Sequence, residues 1–391
     1  MPVIQSPPGP ETVIDGRRYL YFGGTGYLGL QAHPEVIRAA CRATEQYGIG
    51  SATSRSGFGD TPPVVEVERR AAEFFGTEDA FYFPSGYFGA DVLVTALEDR
   101  FDAVFVDELA HYSVLEAARV SGQPVFAFMH RSADVLRGAL KAKLKPGGRP
   151  LVLTDGVFAA LGDIAPVAEY VKVLAEYPGA TLVIDDAHAA GVLGDNGRGT
   201  YEHAGLWSAA VNAGPIGYCD SSFAEVPQGQ ASQPGHLSAC ATLSKALGGY
   251  GGIVAGTQAF VRWLKQSSPY FTGTSPPPVP IAAASAKALE IALAQPQLRQ
   301  RLWQNVGAVK RGLRAMGLEV DDTPVPIVSL AIGDAANMQR LHREMADRGV
   351  FVPYMSTYSG LGAAGALRLA VFATHTKAMI EQLLDELRRR A

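Results

Sequence analysis

Short apolar runs alternate with helix-like segments through most of the first 280 residues. The apolar runs are rich in β-branched or aromatic residues and end on polar ones; they are AFYF (80–83), AVFVD (103–107), PVFAF (124–128), PLVLTD (150–155) and TLVIDD (181–186). Between them, apolar positions recur at helical spacing, for example over 63–76 and 167–177. This alternation predicts an α/β domain whose mainly parallel sheet is covered on both faces. Functional residues gather at the carboxyl ends of strands in such sheets.

The pattern changes after residue 280. A proline-rich stretch runs into a long helix over 275–293, and later segments predict a strand (326–332), a helix (338–349), a strand-like run (366–372) and a final helix. We therefore predict three parts, which are an N-terminal segment (1–45), a large domain (46–280) and a smaller α+β C-terminal domain (281–391). A Gly-, Pro-, Ser- and Gln-rich stretch at about 208–236 is predicted to be an irregular insertion. The sequence does not decide whether it covers an active site or only the surface.

Composition excludes several classes of protein. The 391 residues are 47% hydrophobic and carry a net charge of −4, so no basic surface for nucleic acid or anionic membranes is expected. Cys41, Cys219 and Cys240 are widely spaced, which argues against a disulfide framework or a zinc site, and we expect no metal. The N-terminus lacks the layout of a secretory signal, and no apolar run approaches the roughly 20 residues of a membrane span. We therefore expect a cytoplasmic protein.

A lysine among small residues is the first candidate for chemistry. Lys245 lies in TLSKALGG, after an apolar run and before a glycine cluster. Small neighbours leave room for an aromatic ring beside the ε-amine, and a neutral, desolvated amine is the form that makes a Schiff base. On this pattern alone, however, a solvated surface lysine is the more common outcome.

Two further motifs favour a pyridoxal phosphate (PLP) site. Asp185 and His188 follow the most hydrophobic predicted strand; a carboxylate beside a pyridine nitrogen keeps that ring protonated, and the histidine could bond its phenolic oxygen. A capping aspartate and a loop histidine are the alternative. In FYFPSGYFGA a strand runs through Ser85 and Gly86 into a helix, and such a helix start binds phosphate, although it is a common arrangement.

The motifs taken together resemble the α-oxoamine synthase branch of the fold type I PLP-dependent enzymes. The resemblance runs from about Tyr27 to the C-terminus. It is carried, in the family's order, by YLGLQAHPEVI, YGIGSATSR, FPSGYFGA, VDELAHYSVLEAA, TDGVFAALGDIAP, VIDDAHAAGVLGDNGRG, TLSKALGG, FTGTSPPP and LRLAVFATHT. The resemblance implies the aspartate aminotransferase-like fold, with a large domain and a smaller C-terminal one.

The resemblance also implies the residues of the catalytic centre. Lys245 would hold PLP covalently, and His111 would stack on the pyridine ring. Asp185 would pair with the ring nitrogen and His188 with the phenolic oxygen. Arg368 would bind the carboxylate of an amino acid, because a guanidinium fork fits that group. By spacing alone, Arg368 would be a surface arginine on an edge strand.

A second set of residues is implied to bind the phosphate of PLP. From the same subunit these are Ser85, Gly86, Tyr87 and Thr242. Thr274 and Ser275 match the place from which the partner subunit reaches the phosphate, so the resemblance implies a homodimer with shared active sites.

The implied reaction is the condensation of an amino acid with an acyl-CoA through a quinonoid carbanion, usually with decarboxylation. This chain departs from the family near the expected substrates. Gly26 replaces an asparagine that helps orient the substrate carboxylate, Asp155 replaces a more common glutamate, and Ala159 and Leu161 replace a serine and an acid. A PLP enzyme of aminotransferase, aldolase or decarboxylase type, acting on an amino acid without CoA, therefore stays open.

Two readings outside PLP enzymology find less support. Gly23, Gly26 and Gly29 have the GxxGxxG spacing of a dinucleotide-binding turn, but His33-Pro34 intervenes before the next helix, and no strand ending in an acidic residue follows. A PLP-sensing transcription regulator would need a DNA-binding segment, and the sequence shows no basic helix-turn-helix.

Overall fold

The structure is a computed structural model that describes residues 2–207, 211 and 236–389. The strands are β1 (Glu11–Ile14), β2 (Arg17–Tyr21), β3 (Asp79–Phe83), β4 (Ala103–Asp107), β5 (Val125–Phe128), β6 (Pro150–Asp155), β7 (Thr181–Asp185), β8 (His236–Thr242), β9 (Gly252–Gly256), β10 (Ile327–Leu330), β11 (Val350–Phe351), β12 (Tyr354–Met355) and β13 (Ala366–Ala370).

The helices are α1 (Pro34–Tyr47), α2 (Arg55–Phe58), α3 (Pro62–Phe75), α4 (Gly89–Ala96), α5 (Tyr112–Val120), α6 (Ala133–Lys143), α7 (Val167–Leu174), α8 (Thr200–His203), α9 (Gln258–Ser267), α10 (Pro269–Thr272), α11 (Val279–Ala294), α12 (Gln297–Arg314), α13 (Ala335–Asp347) and α14 (Lys377–Arg388). Short 3-10 turns cover Leu30–Ala32, Gly86–Phe88 and Glu98–Arg100. Among the described residues, no helix has the length and apolar character needed to cross a membrane.

A seven-stranded sheet forms the centre of the large part of the molecule. Its order is β3-β9-β8-β7-β6-β4-β5, and neighbouring strands from β8 to β5 run parallel, while β9 is antiparallel to both of its neighbours. The parallel register places Asp155 beside Asp185. Because β4, β6 and β7 all end on an aspartate, the carboxyl edge of the sheet collects buried acidic groups.

Both faces of this sheet are covered by helices, as the sequence predicts. Alternate residues of β4 point to opposite faces, so Val104 and Val106 join one core while Ala103 and Phe105 join the other. Helices α4, α5 and α9 contribute to the first core, and α6 and α7 to the second. Burial on both faces is the physical reason why these strands read as continuous apolar runs.

The C-terminal part carries its own small sheet, and the N-terminus joins this part of the molecule. β13 lies between β10 and β12, antiparallel to both. β1 and β2 form a hairpin, and β2 pairs in parallel with β11. Sequence reasoning missed this hairpin, although its Asp15-Gly16 turn, with both residues at positive φ, is the type that two-residue hairpins favour. The division at residues 45 and 280 stays a prediction.

The hairpin also shows that the dinucleotide-binding alternative is wrong. The strand that precedes Gly23, Gly26 and Gly29 is β2, which lies in the three-stranded sheet β1-β2-β11 rather than in the seven-stranded one. A nicotinamide site would need that strand inside the parallel sheet, followed directly by a helix. The predicted insertion at 208–236 lies outside the described residues, apart from Val211 and His236.

Candidate active site

A cleft of about 220 Å³ opens at the carboxyl edge of the large sheet. Sequence-predicted residues from four separate stretches of the chain line it, namely Ser85, Gly86, Tyr87, His111, Asp185, His188, Thr242 and Lys245. Ser113, Asp155, Ala187 and Ser244 complete the lining. Folding thus brings together the residues predicted to contact the PLP ring and the residues predicted to bind its phosphate from the same subunit.

Lys245 lies in the turn that follows β8. Its carbonyl accepts the Gly248 amide at 3.1 Å, and the Gly249 amide closes back to Leu243 at 2.8 Å, so the turn is held by its own backbone. Burial lowers the pKa of Lys245 to about 8, against the attraction of Asp185 and Asp155. A buried amine with a depressed pKa is a ready nucleophile for a carbonyl compound. A solvated surface lysine, the alternative on sequence alone, does not describe this residue.

Two neighbouring carboxyl groups share the floor of the cleft. Burial and the charge of Asp185 raise the pKa of Asp155 well above its usual value. Burial also raises the pKa of Asp185, but Lys245 opposes that rise, and the Ala187 amide donates to its Oδ1 at 2.9 Å. We therefore infer that Asp155 holds a proton more readily, which leaves Asp185 as the anion that could face a pyridinium nitrogen.

His111 is fixed at the start of α5. Its backbone amide donates to Asp155 Oδ2 at 2.7 Å, and its Nδ1 lies 2.8 Å from the Ser113 hydroxyl. Burial lowers the pKa of His111, so its ring stays uncharged at neutral pH. A flat, neutral imidazole held by its backbone suits the predicted stacking role.

His188 has a buried partner that sequence reasoning did not select. Its Nδ1 lies 2.8 Å from the Tyr27 hydroxyl, and burial depresses the pKa of His188 well below its usual value. When Tyr27 donates this hydrogen bond, the single ring proton of His188 resides on Nε2. His188 can then act as a donor to an oxygen in the cleft.

Small residues shape the predicted phosphate site. The Tyr87 amide donates to the Ser85 hydroxyl at 3.2 Å, just before α4 begins. A methyl group at Gly86 would lie 2.5 Å from the Thr242 hydroxyl oxygen, so only glycine brings the backbone this close. The resulting concavity joins backbone amides, two hydroxyls and the start of a helix, which together favour an anion.

Arg368 is buried on the central strand of the small sheet. Its Nε donates to the Ala159 carbonyl at 2.8 Å, and a second guanidinium nitrogen, Nη1, lies 3.4 Å from the Gly24 carbonyl. Its charge acts on the pKa values of His188 and Lys245, which places it beside the cleft although not among the lining residues. The edge-strand alternative is therefore wrong, since β13 has a neighbour on each side.

Thr274 and Ser275 lie away from the cleft of their own chain. Neither belongs to the residues that line it, and the Thr274 hydroxyl instead donates within 3.3 Å of the Tyr270 carbonyl. Both follow α10, where Thr274 is partly buried and Ser275 is exposed. Their predicted role in a partner's phosphate site stays a prediction.

The departures from the family pattern have structural counterparts. A side chain at Gly26 would begin 2.0 Å from the amide nitrogen of Gln31, so the Gln31 amide occupies the volume that an asparagine at position 26 would need. Ala159 contributes its backbone oxygen to Arg368. Leu161 packs near Gly360, where an added methyl would lie 3.2 Å from its Cδ1.

Comparisons with known proteins agree with this architecture. A family model for "Aminotransferase class I and II" matches residues 20–387. An 8-amino-7-oxononanoate synthase of Pseudomonas putida is 35% identical over 99% of this chain and 92% of its own. A serine palmitoyltransferase from S. paucimobilis, solved with a PLP-myriocin aldimine, has a TM-score of 0.86 and 27% identity over the whole chain and 92% of its own. An 8-amino-7-oxononanoate synthase from Francisella tularensis, 23% identical, shares the fold with a TM-score of 0.73 over 95% of this chain and 97% of its own.

The doubly covered sheet and the cleft at its carboxyl edge define a PLP-dependent enzyme of fold type I. Within the class I and II aminotransferase family, the chain belongs to the α-oxoamine synthases, which are acyltransferases. The residues present fit the cofactor, because a buried amine of low pKa, a buried carboxylate and a concavity suited to an anion surround one cleft. The predictions of fold, cofactor and enzyme class are thereby confirmed.

The depressed pKa of Lys245 gives a pH-dependent prediction for cofactor uptake. Only the neutral amine attacks the PLP aldehyde, so the rate of covalent attachment to cofactor-free protein should rise with pH, reach half of its limiting value at a pH of about 8 and level off above that. Stopped-flow absorbance of the forming lysine-cofactor bond measures this rate. N-acetyl-lysine methyl ester serves as the control, because its solvated amine should keep accelerating toward a pKa of about 10.4. A protein rate that climbs in parallel with this control would contradict the burial of Lys245.

Proposed function

We propose that this enzyme condenses an amino acid with an acyl-CoA thioester, with release of CoA and of the amino acid's carboxyl group as carbon dioxide. The observation that carries the proposal is Lys245, which shares one cleft with Asp185 and whose pKa is lowered by burial and also by the charge of Arg368 beside that cleft. The names of the relatives support it, since an 8-amino-7-oxononanoate is a ketone with an amino group on the next carbon. Such a product contains a new carbon-carbon bond between an acyl group and an amino-acid Cα.

Bound PLP supplies an electron-accepting ring that eases removal of the Cα proton. The chain's own residues do the rest. Asp185 and His111 both line the cleft: the Asp185 carboxylate would favour a proton on the ring nitrogen, and the His111 imidazole would stack on the ring. Arg368 would bind the substrate carboxylate through its guanidinium and so would restrict the orientation of the substrate beside Lys245. The Lys245 Nζ accepts the proton, because its pKa of about 8 suits a base at neutral pH.

The test of this proposal is thiol release. Purified holoenzyme is given a set of acyl-CoAs of increasing chain length with each of the common amino acids in turn, and free CoA is followed with a thiol reagent. We expect CoA release only when both substrates are present, with an equal yield of carbon dioxide. Borohydride-reduced enzyme is the matched control, because its Lys245 amine is blocked. Formation of pyridoxamine phosphate and a keto acid, without CoA release, would replace this proposal with transamination.

The same proposal includes a homodimer that works in the cytoplasm. An apolar depression of about 540 Å³ lies beside the turn that follows Lys245, and Ile37, Tyr250 and Ile281 are exposed along it. A second copy would cover these side chains, and it would bring its own phosphate site close to Thr274 and Ser275 of the first.

Widely spaced cysteines support a reducing compartment. Sedimentation equilibrium tests the assembly against the chain mass of 41.4 kDa.

A further inference from the structure

A histidine outside the cleft joins two carboxylates at the carboxyl edge of the sheet. His130 follows β5, and its Nδ1 lies 3.0 Å from Asp107 Oδ1 while its Nε2 lies 3.4 Å from Asp163 Oδ2. Its ring also stands edge-on to Phe158, with centroids 4.3 Å apart. None of these residues lines the cofactor cleft.

The Asp107 side of the cluster is rigid. Asp107 is fully buried at the end of β4, and its carboxylate accepts the amides of Leu109 and Arg131, each at 2.9 Å. Arg131 sits at a φ of 55°, an uncommon backbone state that this hydrogen bond helps hold. Burial lowers the pKa of His130, but the hydrogen bonds and charges of Asp107 and Asp163 outweigh it and raise that pKa to about 9. Both ring nitrogens therefore carry protons at neutral pH, and both can donate. His130 therefore links the partly exposed Asp163 to the buried Asp107.

The Asp163 side leads to the substrate site through a tight turn. The Asp163 carbonyl accepts the Phe158 amide at 2.9 Å, and the Phe158 carbonyl accepts the Gly162 amide at 2.9 Å. Between them lies Ala159, whose carbonyl accepts Arg368 Nε at 2.8 Å. The neighbouring Ala160 carbonyl is held by the Ser329 hydroxyl. The turn 158–163 thus supplies the carbonyl group that holds the Arg368 guanidinium in place.

We propose that His130 is a positioning residue for substrate binding, since it clamps the turn 158–163 to Asp107 and so fixes the direction in which Arg368 presents its guanidinium to the amino-acid carboxylate. The inference rests on the proposed function in one respect, which is that Arg368 binds that carboxylate. Phe158 adds to the clamp, because its ring packs on His130 from the same turn. Arg131 adds a second tie, from its guanidinium to Asp163 at 2.9 Å.

This positioning has a signature that a purely structural role lacks. A loosened turn lets the Ala159 carbonyl and Arg368 shift together, and small displacements of a binding group are costly. The loss should fall only on ligands that carry a carboxylate. An amine without a carboxylate would still replace the Lys245 amine on the cofactor carbon, but it has no group for Arg368 to bind, so its affinity should not change.

The test measures binding rather than turnover. Holoenzyme is titrated with L-alanine and L-serine, and separately with ethylamine and ethanolamine, while the change in visible absorbance is followed. His130→Asn should raise the Kd of the two amino acids roughly tenfold or more and change the Kd of the amines less than about twofold. His130→Gln, which places a donor near Asp163, should recover most of the amino-acid affinity. Asp163→Asn, at a partly exposed site, should reproduce the selective loss by a route that leaves Asp107 intact.

Each outcome bears on the proposal. His203→Asn changes an exposed histidine on α8 and should match the wild type throughout. Equal weakening of amino acids and amines in His130→Asn and Asp163→Asn would overturn the proposal, and so would unchanged affinities in both variants. Wild-type enzyme that responds to the amines but to no amino acid would instead overturn the proposed function, and this inference with it.

Discussion

Replacing Lys245 with alanine should abolish covalent attachment of PLP and lower kcat by roughly 10³-fold or more. The variant loses the amine that holds the cofactor and, in the same atom, the base that accepts the Cα proton. The phosphate site around Ser85, Gly86 and Thr242 is untouched, so PLP should still bind, but reversibly. Borohydride reduction followed by mass spectrometry of the peptide carrying residue 245 measures attachment, and CoA release measures turnover.

The control for this variant is Lys172→Ala. Lys172 is an exposed lysine on α7 that pairs with Glu169 at 2.8 Å. It has no proposed part in catalysis, and unlike Lys245 it is open to solvent. Its removal should leave both attachment and kcat at wild-type values. If the Lys245→Ala protein kept full activity and a borohydride-stable cofactor, the assignment of Lys245 would be lost.

The second large effect is expected for Asp185→Asn. The carboxamide has the shape of the carboxylate but no charge, so it cannot hold a proton on a pyridine nitrogen. PLP should remain attached to Lys245, while kcat should fall by roughly 10²- to 10³-fold, as for the loss of one preorganised charge. The rate at which the substrate's Cα hydrogen exchanges with D₂O measures this step without any acyl donor.

Asp155→Asn is the matched comparison, since it changes the neighbouring carboxyl group in the same register. Because burial and Asp185 raise the pKa of Asp155, a neutral amide resembles the protonated form that this shift favours. We expect a loss of Cα exchange much smaller than that of Asp185→Asn. Equal losses in the two variants would show that the pair shares its charge, contrary to the division of roles inferred here.

Local sequence was sufficient for the parts of the site that depend on one strand and its following turn. Asp185 ends a strand buried on both faces, and a polar residue in that place must face the carboxyl edge of the sheet. Lys245 and Gly86 are each marked by small neighbours in the chain. The strands of the large sheet could be predicted for the same reason. Because both of their faces are buried, each forms a continuous apolar run that is recognisable without knowing which strand it pairs with.

Contacts between residues far apart in the chain could not be predicted from local sequence. Nothing in the residues around Tyr27 indicates a bond to a histidine 161 positions later, and the Gln31 amide that fills the space beside Gly26 has no local signature either. Arg368 looked like an edge residue because the spacing of a strand does not show how many neighbours it has. Only the pairing of β13 with both β10 and β12 buried it.

The sequence by itself determined the α/β fold, the lysine that meets PLP and the acid that faces its ring, because apolar period and strand-end chemistry are local properties. The tertiary structure decided which groups surround them. Parallel register set Asp155 against Asp185, and the turn 158–163 set Arg368 in its place. Burial then depressed the pKa of Lys245, since desolvation depends on what covers a group rather than on its neighbours in the chain.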